Sequence, residues 1–235
     1  MLLQEEIKTG VAILIYGTSG IGKSTLCSLI KNSVFIDLEN GLRNIKGIKK
    51  TKVLKKWPEF KEHLRDFFKS EFDTVVIDSI DFLENLLHKH LCETNNWKSM
   101  SQLPFGGCFA IAHTYWLEIL EIVDSIVMSN KNIVFIGHSI IKRMEAPDQD
   151  GFDKYTVKMN QKHATDICAK MDAVLFAQLE TIVKTDRVDE ERLRAITTGK
   201  RILRTNEAPA YLAKNRFNLL PTEPLDGSIL TKIGL

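Results

Sequence analysis

The sequence predicts one α/β domain, with a mostly parallel sheet flanked by helices and antiparallel strands toward the C-terminus. Three observations point there. Short, largely apolar runs at 11–16, 34–38, 74–78, 133–138 and 173–177 are separated by segments of helical periodicity, as in strands buried on both faces. A glycine-rich loop joins the first run to the first helical segment. Beyond about residue 178 the pattern changes to alternating strands with turn residues. The 235 residues are read as one domain: a core over about 10–178, a hairpin and basic segment over about 179–221, and a tail over 222–235.

The first strand runs into Gly17-Thr18-Ser19-Gly20-Ile21-Gly22-Lys23-Ser24, with Thr25 beginning the helical continuation. The pattern is G-x-x-x-x-G-K-[ST] in a strand–loop–helix setting. Such a loop suits a polyphosphate. Glycines allow the dihedrals and close approach that aim several backbone N–H groups at one anion, and the helix start adds its own N–H groups and positive dipole end. Lys23 is placed to reach the β- and γ-phosphates and Ser24 to ligate Mg²⁺. Residues 17–25 are therefore the candidate nucleotide site, with ATP and Mg²⁺ as its expected occupants.

The second strand ends in Asp37-Leu38-Glu39, at the sheet edge where open α/β proteins bind ligands. Glu39 is a candidate for orienting and deprotonating an attacking water; a solvated loop acid is the alternative. Lys46, Lys49, Lys50, Lys52, Lys55 and Lys56 follow, read as a solvated connection rather than as a surface for an anionic polymer. Pro58 opens a helix whose Phe60, Leu64, Phe67 and Phe68 repeat at helical spacing. The strand at 74–78 ends in Asp78, a candidate Mg²⁺ holder beside Ser24.

From Ile80 to about Thr94 the spacing is helical; His88 and His90, two apart, face different ways and make a poor metal pair. Residues 95–107 read as a polar loop carrying Trp97, Lys98 and Phe105, and 108–128 as a long helix. The strand at 133–138 delivers His138 to the same edge as Glu39 and Asp78, either bonded to backbone or sensing the γ-phosphate. Residues 142–151 read as a polar turn, 164–171 as a helix and 173–177 as a strand. Strands follow at 181–184, 192–196 and 201–204, with Thr198-Gly199 as the hairpin turn between the last two.

Composition excludes little. A net charge of +2, from 32 basic and 30 acidic side chains, neither favours nor forbids a nucleic-acid partner, so any such surface must come from local clustering. No apolar run is long enough to span a bilayer and no leader pattern opens the chain, which reads as cytoplasmic with no membrane contact. Cys27, Cys92, Cys108 and Cys168 are scattered without a C-x-x-C pair, so reduced thiols and no zinc site are expected.

Taken in order, the loop at 17–24, Phe35-Ile36-Asp37-Leu38-Glu39, Val75-Val76-Ile77-Asp78-Ser79, the strand ending in His138, and Lys214-Asn215-Arg216 give the chain a likeness. Roughly over residues 10–221 it resembles the RecA-like recombinase ATPases, above all their small phage-encoded branch associated with single-strand annealing. The resemblance implies that Glu39 activates the hydrolytic water. It places His138 where RecA has a glutamine that reports the γ-phosphate. It implies that Lys214 and Arg216 reach a neighbouring subunit's nucleotide, so that ATP sits between subunits of a homo-oligomer. By the same likeness the loops at 95–107 and 139–153 face single-stranded DNA, with Lys142, Arg143 and Lys98 as candidate phosphate contacts. A single-strand-binding protein is an expected attendant and the host cytoplasm the expected location. The alternatives are a P-loop kinase of a small acceptor and a nucleotide-gated assembly or loading module that hydrolyses little.

Overall fold

The computed structural model describes residues 9–146, 149–185 and 193–235. The chain start, residues 147–148 within the turn read at 142–151, and Arg192 of the strand read at 192–196 lie outside these. In chain order the elements are β1 (Ala12–Gly17), α1 (Lys23–Cys27), β2 (Ser33–Asp37), β3 (Lys49–Lys50), α2 (Trp57–Lys69), β4 (Thr74–Asp78), α3 (Ile80–Asn95) and α4 (Gly107–Met128). They continue as β5 (Asn132–Ala146), β6 (Gln149–Val157), α5 (Gln161–Lys170), β7 (Ala173–Thr185), β8 (Leu193–Arg204), β9 (Lys214–Asn215), β10 (Thr222–Pro224) and α6 (Ser228–Lys232).

The sheet runs β10-β8-β7-β1-β5-β4-β2-β3, with β6 added to β5 and β9 to β7. Strands β1, β2, β3, β4, β5 and the first part of β7 are parallel, and β6, β8, β9 and β10 pair antiparallel. The predicted α/β architecture is the one observed. Successive side chains of β1 point to opposite faces, and both faces are covered. Leu14 and Tyr16 join a cluster with Phe60 of α2, Leu87 of α3, Trp116 of α4 and Ile167 of α5. Ile13 and Ile15 join Leu26 and Cys27 of α1 and Ile229 and Leu230 of α6. The sheet is thus the middle of three layers, which is why its central strands are apolar throughout.

Three expectations need correction. Residues 139–153 are not a loop: β5 continues past the sheet edge and pairs with β6 from Ser139↔Val157 to Ala146↔Gln149 as a long hairpin. Thr198-Gly199 is not a hairpin turn. Gly199 has the positive φ of 79° that a turn glycine takes. It spends that φ in an irregularity of the β7–β8 ladder, where pairing steps from Leu179↔Arg201 to Thr181↔Thr197. The chain segment connecting those two strands spans 186–192, outside the described residues. Residues 222–235 are no loose tail either. Strand β10 pairs with β8, and α6 buries Ile229 and Leu230 against the β1 face.

Candidate active site

The parallel strands deliver their C-terminal ends to one edge, and their register sets the site. Gly17 lies beside His138 on one side and Ala177 on the other, and Asp37 lies beside Asp78. Strand β5 runs between β1 and β4, so His138 stands between the glycine loop and the Asp78 strand. At Gly17 a Cβ would come within 2.2 Å of the Ala177 carbonyl oxygen, so no side chain fits where the loop leaves the sheet. Gly22, at φ 108°, turns the chain into α1 in a conformation that L-residues avoid.

These ends enclose an open cavity of about 680 Å³ lined by the loop, Lys23, Ser24, Glu39, Asp78, Phe82, His138 and Lys158. The buried Lys23 ammonium donates to the Gly17 carbonyl at 2.9 Å and the Thr18 carbonyl at 2.8 Å. Burial lowers its pKa, and Asp78, Glu39 and Asp81 work against that. The Ser24 hydroxyl donates to Asp78 Oδ2 at 2.7 Å. Burial pushes the Asp78 carboxyl up to about 6 despite that bond, with Glu39 and Asp37 adding repulsion.

Asp78 Oδ1 is shut away from solvent and accepts no hydrogen bond among the described residues. An orphaned carboxylate oxygen beside a serine hydroxyl fits a small hard cation, so Asp78 and Ser24 would hold Mg²⁺.

Glu39 and His138 complete the edge. Glu39 Oε2 accepts from the Ser79 hydroxyl at 3.4 Å and lies 4.0 Å from His138 Nδ1. His138 Nδ1 sits 3.0 Å from Asp81 Oδ2 and its backbone N–H donates to Asp81 Oδ1. The hydrogen bond to Asp81 raises the His138 pKa against the opposing effect of burial. Burial alone would raise Asp81, but the bonds from His138 and Ser79 outweigh it and hold that carboxyl below its usual range.

The remaining candidates lie elsewhere. Lys214 pairs with Val174 and Asn215 with Ala173, at the far end of β7 from Ala177. About 10–13 Å of strand therefore separates them from the residue beside Gly17. Lys214 Nζ donates to the Ala169 carbonyl, and Arg216 Nη1 bonds Asp172 Oδ1 at 3.0 Å. Neither lines the cavity of its own chain. Lys142 is held by the Met159 carbonyl and Gln161 Oε1, whereas Arg143 is exposed with Asp153 at 3.9 Å. Lys98 lies in the 96–103 segment and its N–H donates to Gln102.

Sequence reasoning missed three residues. Asp81 orients His138; Lys158 lines the cavity and donates its backbone N–H to the His138 carbonyl. Arg201, from β8, rests its guanidinium 3.1 Å from where a Gly22 Cβ would be. Only the spacing of Asp81, three residues beyond Asp78 and in the first turn of α3, was a usable signal.

The fold and the edge together define a P-loop nucleotide-site domain. The chain belongs to the AAA domain family, whose profile matches residues 9–217. It is similar to the SPbeta prophage-derived uncharacterized protein YorG of Bacillus subtilis (strain 168), at 22% identity over 219 residues. That match covers 91% of this chain but 61% of the relative. Among solved structures it is similar to the flagellar accessory protein FlaH of Methanocaldococcus jannaschii, with TM-score 0.46 and 14% identity over 93% of this chain and 88% of that one. The KaiC-like protein PH0186 of Pyrococcus horikoshii OT3 gives TM-score 0.41 and 13% identity over 83% and 77% of the two chains. Among the described residues no helix is long and apolar enough to cross a membrane.

Proposed function

We propose that the protein binds and hydrolyses ATP with Mg²⁺, and that it couples turnover to single-stranded DNA in recombination or annealing as a homo-oligomer. The observation that carries the ATPase reading is the meeting of Lys23, the Ser24–Asp78 pair and Glu39 around one cavity. Loop amides and Lys23 would grip the phosphates once Lys23 leaves the two loop carbonyls. Mg²⁺ held by Ser24 and Asp78 would supply charge neutralisation on the phosphate oxygens. Glu39 would polarise the attacking water, and His138, anchored by Asp81, would register the γ-phosphate and pass the signal into the β5–β6 hairpin.

Lys214 and Arg216 sit too far along β7 to serve the nucleotide of their own chain, which fits a role at a neighbour's. The DNA role rests on the sequence resemblance and on the exposed Arg143 of the hairpin; the prophage relative suits a phage setting, with a single-strand-binding protein as attendant. The test is ATPase rate with and without single-stranded oligonucleotide across a salt series. Stimulation that fades as salt rises is expected. Turnover indifferent to DNA but stimulated by a nucleoside would replace this reading with a small-acceptor kinase.

A further inference from the structure

A second cluster of ligand-type side chains lies in the helical layer. Glu84 and His88 stand one turn apart on the same face of α3, and α5 brings His163 to them. One donor atom from each of the three lies within 4.8 Å of the others. Glu84 and His163 are buried, at 6% and 1% exposure, and His88 is half-buried. Glu84 Oε1 is 2.6 Å from His163 Nδ1, and the Asn160 N–H donates to the Glu84 carboxylate at 3.1 Å. The His163 ring stacks on His113 and Trp116, which fixes its direction.

A Glu84–His163 hydrogen bond alone would account for two of these residues. It leaves His88 unexplained, because His88 Nε2 is shut off from solvent with no hydrogen-bond partner among the described residues. An unpartnered buried nitrogen costs stability unless something fills its lone pair.

We propose that Glu84, His88 and His163 bind a zinc-class divalent cation that staples α3 to α5. Two imidazoles and one carboxylate favour a borderline metal over Mg²⁺ or Ca²⁺, which take oxygen. Donors of a tetrahedral zinc site stand about 3.3 Å apart, from bonds of about 2.0–2.2 Å. The separations here, from 2.6 Å to no more than 4.8 Å, straddle that value, so small side-chain rotations suffice. The Asn160 N–H on Glu84 is the outer partner that such a ligand carboxylate normally has. The site is separate from the Ser24–Asp78 pair and does not depend on the proposed ATPase activity.

The experiment uses the full chain stripped with a chelator and titrated with Zn²⁺ or Co²⁺. Wild type is expected to take up a single tight equivalent, with the intense visible bands of tetrahedral Co²⁺. His88→Gln is expected to weaken uptake by more than about 100-fold, beyond the loss typical of an outer partner alone. Asp78→Asn is expected to leave uptake and spectrum unchanged. His88→Cys, which keeps a zinc donor, is expected to retain binding and add a thiolate-to-cobalt charge-transfer band; it decides the matter if His88→Gln fails to fold. No tight uptake by wild type overturns the proposal. So does uptake that survives His88→Gln, or that is lost in Asp78→Asn.

Discussion

Lys23 holds two carbonyls of its own loop, so an incoming phosphate must replace both bonds with stronger ones. Hydrogen bonds to charged groups contribute about 1.5–3 kcal/mol. Lys23→Ala should therefore weaken ATP binding by about 10–100-fold in calorimetry. Glu39→Gln should leave ATP binding intact and cut turnover by about 100–10,000-fold, the range a positioned general base supplies. At Asp78 the proton competes with the metal. Its pKa is raised to about 6, so the folded chain holds more protons there than the unfolded one between the usual carboxylate range and about 6. For this group alone, folding stability rises as pH falls through that window. Mg²⁺ binding moves the other way: it should weaken by at most about tenfold per pH unit below about 6. Magnesium titrations showing no change there would remove Asp78 from the metal site. His138 carries the same sign as Asp78. Its raised pKa means that the ion pair with Asp81 adds stability fully below the unfolded value and loses it as pH rises through the folded one.

At the scale of elements, what could be read from the chain is what local pattern encodes. β1, β2 and β4 were legible because both of their faces are buried, and each carries its functional residue at or just beyond its last position. Strand β5 was legible only as far as the sheet edge, since beyond it the strand becomes one half of a two-stranded ribbon whose residues no longer need to be apolar, whereas the continuation of β7 was legible as a separate strand at 181–184. Gly199 shows turn chemistry read correctly and placed wrongly: a positive φ serves a bulge as well as a turn, and only the pairing partner decides between them. Lys158 and Arg201 join the site through tertiary register, which no spacing records. The Glu84–His88 pair lies four apart on α3, a spacing that salt bridges and core contacts share, and its third member comes from α5. Helix α6 is too short to show a period. Its place in the core gives a test: Ile229→Ala should cost about 2–5 kcal/mol in urea unfolding. A loss within error would mean that these last residues are an appendage.

The whole molecule divides its chemistry between two ends of one sheet. The phosphate loop, the acids and His138 sit at one end, and Lys214 and Arg216 at the other. A head-to-tail assembly would bring the two ends of neighbouring copies together. If it does, Glu39→Gln and Arg216→Ala should each abolish turnover alone, and an equal mixture should restore roughly a quarter of the sites, since each site would draw one part from each copy. Mixtures with no recovery would confine Arg216 to bracing Asp172. The ribbon of β7 and β8 adds a second consequence of this geometry. It leaves the sheet at Ala177, is rooted beside Gly22 through Arg201, and carries exposed Leu179, Ile182 and Ile196 outward. A partner that bound that arm would hold the same strand that brings Arg201 to the phosphate loop, so binding there and binding of a nucleotide would share a single length of main chain.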